Sequence, residues 1–264
     1  MSQFFTTEIS NSRFEFDGLR FVTVKSNALK NRADLTIFDP GSDGVADAPV
    51  VILLHGVYGS HWAWALKAGV HRTCRRLIDD NTIRPMILVM PSDGLYADGS
   101  AYIPHLTLDY EKWIIEDVLQ VVREQVPSVT GKSALFITGL SMGGFGAMRL
   151  GSKYPHLFNA FSGLSSITHF DQMKEFAQDF EGLKKIAPHR DGVLEWMIRN
   201  KNDLPPFRFD CGVDDLLIEH NRDLHRKLAG QKIPHVYEEF PGDHNWDYWE
   251  LHIQDSLIFF NQQL

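Results

Sequence analysis

Cysteine is nearly absent from this chain: Cys74 and Cys211 are the only two in 264 residues. Two thiols cannot build a disulfide framework, and their scarcity fits a reducing compartment. Long hydrophobic runs are missing as well. The apolar stretch Val50 to Leu54 falls far short of the ~20 residues that a membrane-spanning helix requires. The opening MSQFFTTEIS has no basic segment followed by an apolar one, so it does not read as a secretory signal, and the cytoplasm is the expected location. A chain that starts after a removed leader would read the same way. Positive charge is in deficit: 26 Lys and Arg against 34 Asp and Glu leave a net charge of −8. Such a surface repels phosphate backbones, which argues against a nucleic-acid partner. The sequence also lacks His-Glu-x-x-His, Cys-x-x-Cys and Gly-x-Gly-x-x-Gly, and no P-loop follows the first buried strand, so neither a metal nor a cofactor is expected.

What is present is ordinary in bulk: 44% hydrophobic and 23% charged residues, close to the average for globular proteins. That excludes a disordered, collagen-like or coiled-coil chain. Single α/β domains often reach ~250 residues, so one domain over 1–264 is the expectation. A homo-oligomer stays open.

The first fifty residues read as β structure. Phe14, Phe16, Leu19, Phe21 and Val22 nearly alternate around a turn at Asp17-Gly18, and Leu35, Ile37 and Pro40 close a second short strand. A loop by composition fills 40–49. Then the texture changes. Val50 to Leu54, Met86 to Met90 and Ala134 to Thr138 are continuous apolar runs, as strands buried on both faces of a parallel sheet must be. Trp64 to Ile78 and Tyr110 to Val126 carry apolar residues at three- and four-residue spacing and read as helices. Strand and helix in alternation predict a mostly parallel, doubly wound α/β sheet with helices on both faces. From about 166 to 206 the pattern breaks into amphipathic stretches with no strand, an expected helical insertion after the sixth strand that acts as a lid or cap. Strands resume at Phe207–Cys211 and His235–Phe240, with helices near Leu216–Leu228 and Trp246–Leu264.

The strongest chemical signal is Gly139-Leu140-Ser141-Met142-Gly143. It matches Gly-x-Ser-x-Gly between a buried strand and a helix, where a tight turn strains the serine backbone and exposes its hydroxyl. A bare match of this kind arises by chance, and the bland alternative is a glycine-rich turn. The strand before it and the helix after it favour a nucleophile. A serine nucleophile needs a base, and the base an orienting acid. On this architecture they follow in the order Ser, Asp, His at later strand ends. His244 is the one histidine of twelve in the loop directly after the last strand. Asp214 and Asp215 both follow Phe207–Cys211 and compete for the acid role, with helix capping as the alternative for either. Asp243 adjoins His244 too closely to orient it well. Two backbone N–H groups should bind the developing oxyanion: Met142, after the nucleophile, and Val57, in the loop His55-Gly56-Val57-Tyr58-Gly59. His55 reads as a residue that ties this loop down, and Cys211 as a buried small hydrophobe.

These motifs together resemble a family. Leu53-Leu-His-Gly-Val-Tyr-Gly59, Val89-Met-Pro-Ser-Asp-Gly94, Gly139-Leu-Ser-Met-Gly-Gly-Phe-Gly-Ala147, Phe161-Ser-Gly163, Cys211-Gly-Val-Asp-Asp215 and Gly242-Asp-His-Asn-Trp246 stand in the order seen in the putative-esterase (esterase D-like) branch of the α/β-hydrolases. The resemblance implies one α/β-hydrolase domain and a serine carboxylesterase that needs no cofactor. In that family's segment the acid is the last residue, which favours Asp215. Tyr96-Ala-Asp98 is similar to short-chain tributyrin-type esterases. Val57-Tyr-Gly-Ser60 departs from S-formylglutathione hydrolases, which resemble one another in carrying a cysteine there.

The expected reaction is therefore hydrolysis of a small-molecule ester by Ser141, His244 and Asp215. Acyl transfer to an alcohol uses the same triad and is not separated from it by sequence. A silent hydrolase fold used for binding is the rival from outside enzymology. Trp62, Tyr96, Asp98, Tyr102, His105 and Trp246 crowd the segments above the sheet. Trp62, Tyr96 and Trp246 are the substrate-binding candidates, with loop packing as the alternative. Phe170, Phe176 or Trp196 of the insertion would cover the cleft. No apolar tunnel for a fatty chain is visible, so short acyl groups, including those on sugars, are the expected substrates.

Overall fold

The computed structural model describes residues 2–41 and 44–264, so that Ser42 and Asp43 of the expected 40–49 loop lie outside the described residues. The strands are β1 (Thr7–Ile9), β2 (Leu19–Lys25), β3 (Arg32–Phe38), β4 (Val50–Leu54), β5 (Ile87–Pro91), β6 (Leu135–Gly139), β7 (Ala160–Leu164), β8 (Phe207–Gly212) and β9 (Val236–Phe240). They form one sheet in the order β1-β2-β3-β5-β4-β6-β7-β8-β9. The pairs from β1 to β5 across β2 and β3 are antiparallel, and every pair from β5 through β4 to β9 is parallel. Strands β4 to β8 are buried along their whole length, which is why β4, β5 and β6 run apolar without alternation, while β8 buries Arg208 and Asp210 as an ion pair.

Helices cover both faces. They are α1 (Ala63–Leu66), α2 (Val70–Asp79), α3 (Tyr110–Lys112), α4 (Leu119–Gln125), α5 (Met142–Lys153), α6 (Phe180–Ile186), α7 (Val193–Arg199), α8 (Ile218–Gly230) and α9 (Trp246–Asn261). A π-helical stretch, Trp113–Val118, joins α3 to α4. Val50, Ile52 and Leu54 of β4 pack with Trp113, Ile114, Met142 and Phe145 on one side. Val51 and Leu53 pack with Trp64, Val70, Ile253 and Phe260 on the other. Among the described residues no helix is long and apolar enough to cross a membrane.

Several local expectations change. Phe14 and Phe16 are exposed and precede β2, so their alternation marks no strand. The short edge strand β1 has a mostly exposed pattern and left no periodic signal. Counting it, the insertion follows the seventh strand. The helix expected over 64–78 is two helices, because Gly69 at φ +57° breaks the right-handed path. The insertion holds a 3₁₀ turn (Phe170–Glu175) besides α6 and α7. Its α7 packs against α5 and α8.

A buried charge cluster locks α5 to the helical layer beside it. Glu111 of α3 accepts hydrogen bonds from Arg149 and Lys153 of α5 and from the Tyr154 hydroxyl. Burial disfavours the Glu111 carboxylate, but these cations and donors outweigh it and hold its pKa below the usual glutamate range. Glu111→Ala would leave the Arg149 guanidinium, fully buried, without its counter-charge. The expected loss is about 3–5 kcal/mol, read as a fall in Tm of roughly 10 °C at neutral pH. Because the folded pKa is depressed, this stabilisation is present above the unfolded glutamate value and fades as pH falls through the folded one. The gap between wild type and variant should therefore narrow below about pH 4. A gap that widens on acidification would contradict the assignment.

Candidate active site

The turn after β6 carries the candidate nucleophile, Ser141. Ser141 sits at φ +54° and ψ −118°, a backbone region that non-glycine residues avoid. Hydrogen bonds hold it there: its N–H donates to the Leu164 carbonyl at 3.0 Å, and its carbonyl accepts from Phe145 at 3.0 Å and Ile167 at 3.2 Å. The flanking glycines are required by space. A Cβ on Gly143 would overlap the Leu54 carbonyl at the end of β4, and one on Gly139 would overlap the backbone of Gly143. The turn thus brings α5 against the strand end, with the N–H groups of its first turn at Ser141.

Sheet register brings the second loop alongside. Leu54 of β4 pairs with Gly139 of β6, and three residues beyond each lie Val57 and Met142. Gly56 makes the approach possible: a Cβ there would stand 2.7 Å from Leu140 Cδ1 and 3.3 Å from Ser141 Cβ. The loop is tied from beneath. His55 Nδ1–H donates to the Gly56 carbonyl at 2.7 Å, and its Nε2 accepts from the Asp93 N–H at 3.0 Å. Burial pushes the His55 pKa down, against the pull of Asp93, so the ring is neutral and this tautomer is the one that satisfies both bonds. The Tyr102 hydroxyl donates to the His55 carbonyl at 3.0 Å. The Asp93 carboxylate in turn accepts from the N–H groups of Leu95 and Ser100, at 2.9 and 2.7 Å.

The same register logic operates at the other edge. Gly212 of β8 pairs with Phe240 of β9, and Asp215 and His244 follow three and four residues later. His244 Nδ1–H donates to Asp215 Oδ2 at 2.8 Å, with Oδ1 at 3.0 Å, and His244 Nε2 lies 3.0 Å from Ser141 Oγ. Asp215 Oδ1 also accepts from the Leu217 N–H at 2.7 Å. Burial raises the cost of the Asp215 charge, yet the hydrogen bonds from His244 and Leu217 hold its pKa below the usual aspartate range. Asp214 is exposed and only its N–H is engaged, to the Gly242 carbonyl. The Asp243 carboxylate accepts from the His244 N–H at 2.7 Å, which occupies it locally. Cys211 is buried, and burial pushes its thiol pKa up.

The aromatic candidates divide. Tyr96 packs edge-on to His105, with centroids 4.9 Å apart, and against Tyr110. Trp246 packs edge-on to Trp64 and Trp249 beneath the Lys67 ammonium. Trp62 is 40% exposed. The rings that meet His244 are others: Trp249, perpendicular at 5.0 Å, and Phe176 of the insertion, at 5.6 Å and 31°. Phe170 is fully buried, and the Trp196 ring takes the cations of Lys153 and Arg199 over it. Sequence reasoning missed Trp249, Tyr58 and the scaffold role of Asp93. Trp249 stands five residues after His244, past the Asn245 side chain that caps α9 by accepting from the Tyr248 N–H. That cap places the ring above His244. Among the described residues no group of three or more His, Cys, Asp or Glu side chains is set to hold a metal.

Residues 26–260 match the family described as "Putative esterase". An acetyl esterase of Caldicellulosiruptor saccharolyticus is 26% identical over 224 residues, 78% of this chain and 80% of that protein. Among solved structures, a ferulic acid esterase superposes with a TM-score of 0.79 at 22% identity, covering 98% of this chain and 99% of its own. An S-formylglutathione hydrolase of Staphylococcus aureus superposes with a TM-score of 0.76 at 19% identity, covering 96% and 98%. Likeness at these identities establishes the α/β-hydrolase fold and no more.

The geometry distinguishes the two neighbouring carboxylates. Asp215→Asn should lower kcat by roughly 10⁴-fold by upsetting the His244 tautomer. Asp214→Asn should change it less than about threefold, as an exposed substitution does. Steady-state kinetics on both variants, with Tm as a folding control, decide the matter. The opposite ranking would move the acid to Asp214.

Proposed function

Because the chain belongs to the putative-esterase family of α/β-hydrolases and is a carboxylic ester hydrolase, we propose that it cleaves short-chain acyl esters, including acyl groups on sugars, through Ser141, His244 and Asp215. The observation that carries this reading is the continuous hydrogen-bond chain from Asp215 through His244 to Ser141 Oγ, at 2.8 and 3.0 Å.

His244 Nε2 takes the Ser141 proton as Oγ attacks the ester carbonyl carbon. The resulting oxyanion accepts hydrogen bonds from the N–H groups of Val57 and Met142, which cost no reorganisation because backbone packing already holds them. Asp215 keeps the proton on Nδ1 before attack and stabilises the imidazolium after it. Collapse expels the alcohol, which leaves with the proton from Nε2. Water then gives a proton to the same nitrogen and attacks the acyl-enzyme, releasing the acid and restoring Ser141. The first turn of α5 adds a favourable dipole at the developing charge.

The acyl-length reading rests on the segments over the strand ends, whose sequences carry no long apolar run that would line a tunnel for a fatty chain. The acetyl esterase relative supports the same range. Trp62, Tyr96 and Trp246 stay in the reading as substrate-binding candidates.

Ser141→Ala and His244→Ala should each lower kcat by about 10⁴-fold or more with the fold retained, and a fluorophosphonate probe should label wild type but not Ser141→Ala. A p-nitrophenyl ester series from two to sixteen carbons should peak at acetyl to butyryl and fall steeply by about eight carbons. Methylenes left in water contribute nothing, whereas each one that finds a pocket contributes up to ~0.8 kcal/mol. A maximum at twelve carbons or more would overturn the acyl assignment.

A further inference from the structure

Besides Ile167 at its start, whose N–H donates to the Ser141 carbonyl, the insertion reaches His244 with Phe176, in the short segment 176–178. Phe176 lays its ring against His244, 5.6 Å between centroids. Two straps hold it. The Tyr58 hydroxyl donates to the Phe176 carbonyl, and the Asp98 carboxylate accepts from the Gln178 N–H at 2.7 Å. Tyr58 and Asp98 are themselves joined, since the Tyr58 N–H donates to the Asp98 carbonyl at 3.1 Å. Tyr58 directly follows Val57, sits at φ +60° and is 70% exposed. Its ring thus stands at the rim of the cleft, and its hydroxyl bond crosses from the oxyanion loop to the insertion.

The chemistry says which part of an ester meets Phe176. His244 Nε2 must deliver its proton to the leaving oxygen, within about 3 Å of it. The alcohol therefore lies along the imidazole. The carbonyl oxygen points to Val57 and Met142, and the acyl chain takes the direction left over. One side of the imidazole is closed by Trp249, which is buried. Phe176, half-buried, is the ring that a bound alcohol can reach.

We infer that Phe176 forms the wall of the leaving-alcohol subsite, strapped in place by Tyr58 and Asp98, and that it selects esters whose alcohol presents a ring face. This rests on the reading of Ser141 and His244 as nucleophile and base. Phenols and the apolar faces of sugar rings both offer such a surface, whereas a methyl group does not.

The test varies the alcohol and the acyl group separately. Phe176→Ala should lower kcat/KM for phenyl acetate roughly three- to tenfold more than for methyl acetate, the range of an aromatic contact. With p-nitrophenol held constant, the acetyl to octanoyl series should shift by one common factor. Tyr58→Phe keeps the ring and removes the strap, and should move the phenyl-to-methyl ratio the same way by a smaller factor. Phe176→Leu should recover part of it. A changed slope across the acyl series would assign Phe176 to the acyl side and overturn the inference, as would equal losses for both alcohols. If Phe176→Ala does not fold, the exposed Tyr58→Phe and the conservative Phe176→Leu carry the same comparison, and an unchanged ratio in both overturns it. Turnover retained in Ser141→Ala would instead defeat the underlying reading, so the two failures are distinguishable.

Discussion

Everything at the candidate site depends on how closely the first turn of α5 approaches the end of β4. Side chains at 139 or 143 would collide with the backbone of the neighbouring elements, so glycine at both positions lets the turn close. Closing it forces Ser141 to φ +54°, a conformation that costs of order 1–3 kcal/mol. Hydrogen bonds to Leu164, Phe145 and Ile167 offset that cost and keep the serine from relaxing. The same contact carries Met142 to the loop after β4. One packing decision thus sets the candidate nucleophile and both N–H groups of the proposed oxyanion hole.

Two histidines near this centre illustrate how surroundings divide one side chain into two tasks. His55 is buried, neutral, and spends both ring nitrogens on backbone atoms of Gly56 and Asp93. It shapes a loop. His244 has a carboxylate on one nitrogen and a hydroxyl on the other, which fixes its tautomer and turns Nε2 to the hydroxyl. Asp215 is suited to its place because His244 and the Leu217 N–H compensate its burial. Asp214, one residue earlier, faces solvent.

The insertion adds a different kind of constraint. Its fully buried apolar residues Phe170, Met173, Val193 and Met197 join the core on that face of the sheet. Phe176 is turned to His244, and the backbone of its segment is held at Phe176 by Tyr58 and at Gln178 by Asp98, from two loops far away in the chain. An insertion anchored to the loop after β4 cannot shift without disturbing that loop, which couples it to the candidate site.

The local pattern of the chain determined much of this. Four of the five buried strands (β4, β5, β6 and β8), the tight turn at Ser141, and the His244 loop were legible because burial, glycine spacing and strand-end position each leave a mark on neighbouring residues, whereas β7, with Ser162 and Gly163 in its middle, was not read as a strand. The short strand β1 and the break at Gly69 were not, since three exposed residues and one glycine carry no period. The choice between Asp214 and Asp215 was open to spacing and leaned on family resemblance. Only the β8–β9 register, with the turn after Gly212, aims one carboxylate at the imidazole and the other at water. Phe176, Tyr58 and Trp249 were beyond local reading for the same reason. Their partners lie 68, 118 and 5 residues away, and even the last depends on where a helix cap turns the chain. Sequence specified which groups could react and on which strand ends they stand; tertiary packing alone decided which of them face one another, because contact across loops depends on register and close approach rather than on any neighbour in the chain.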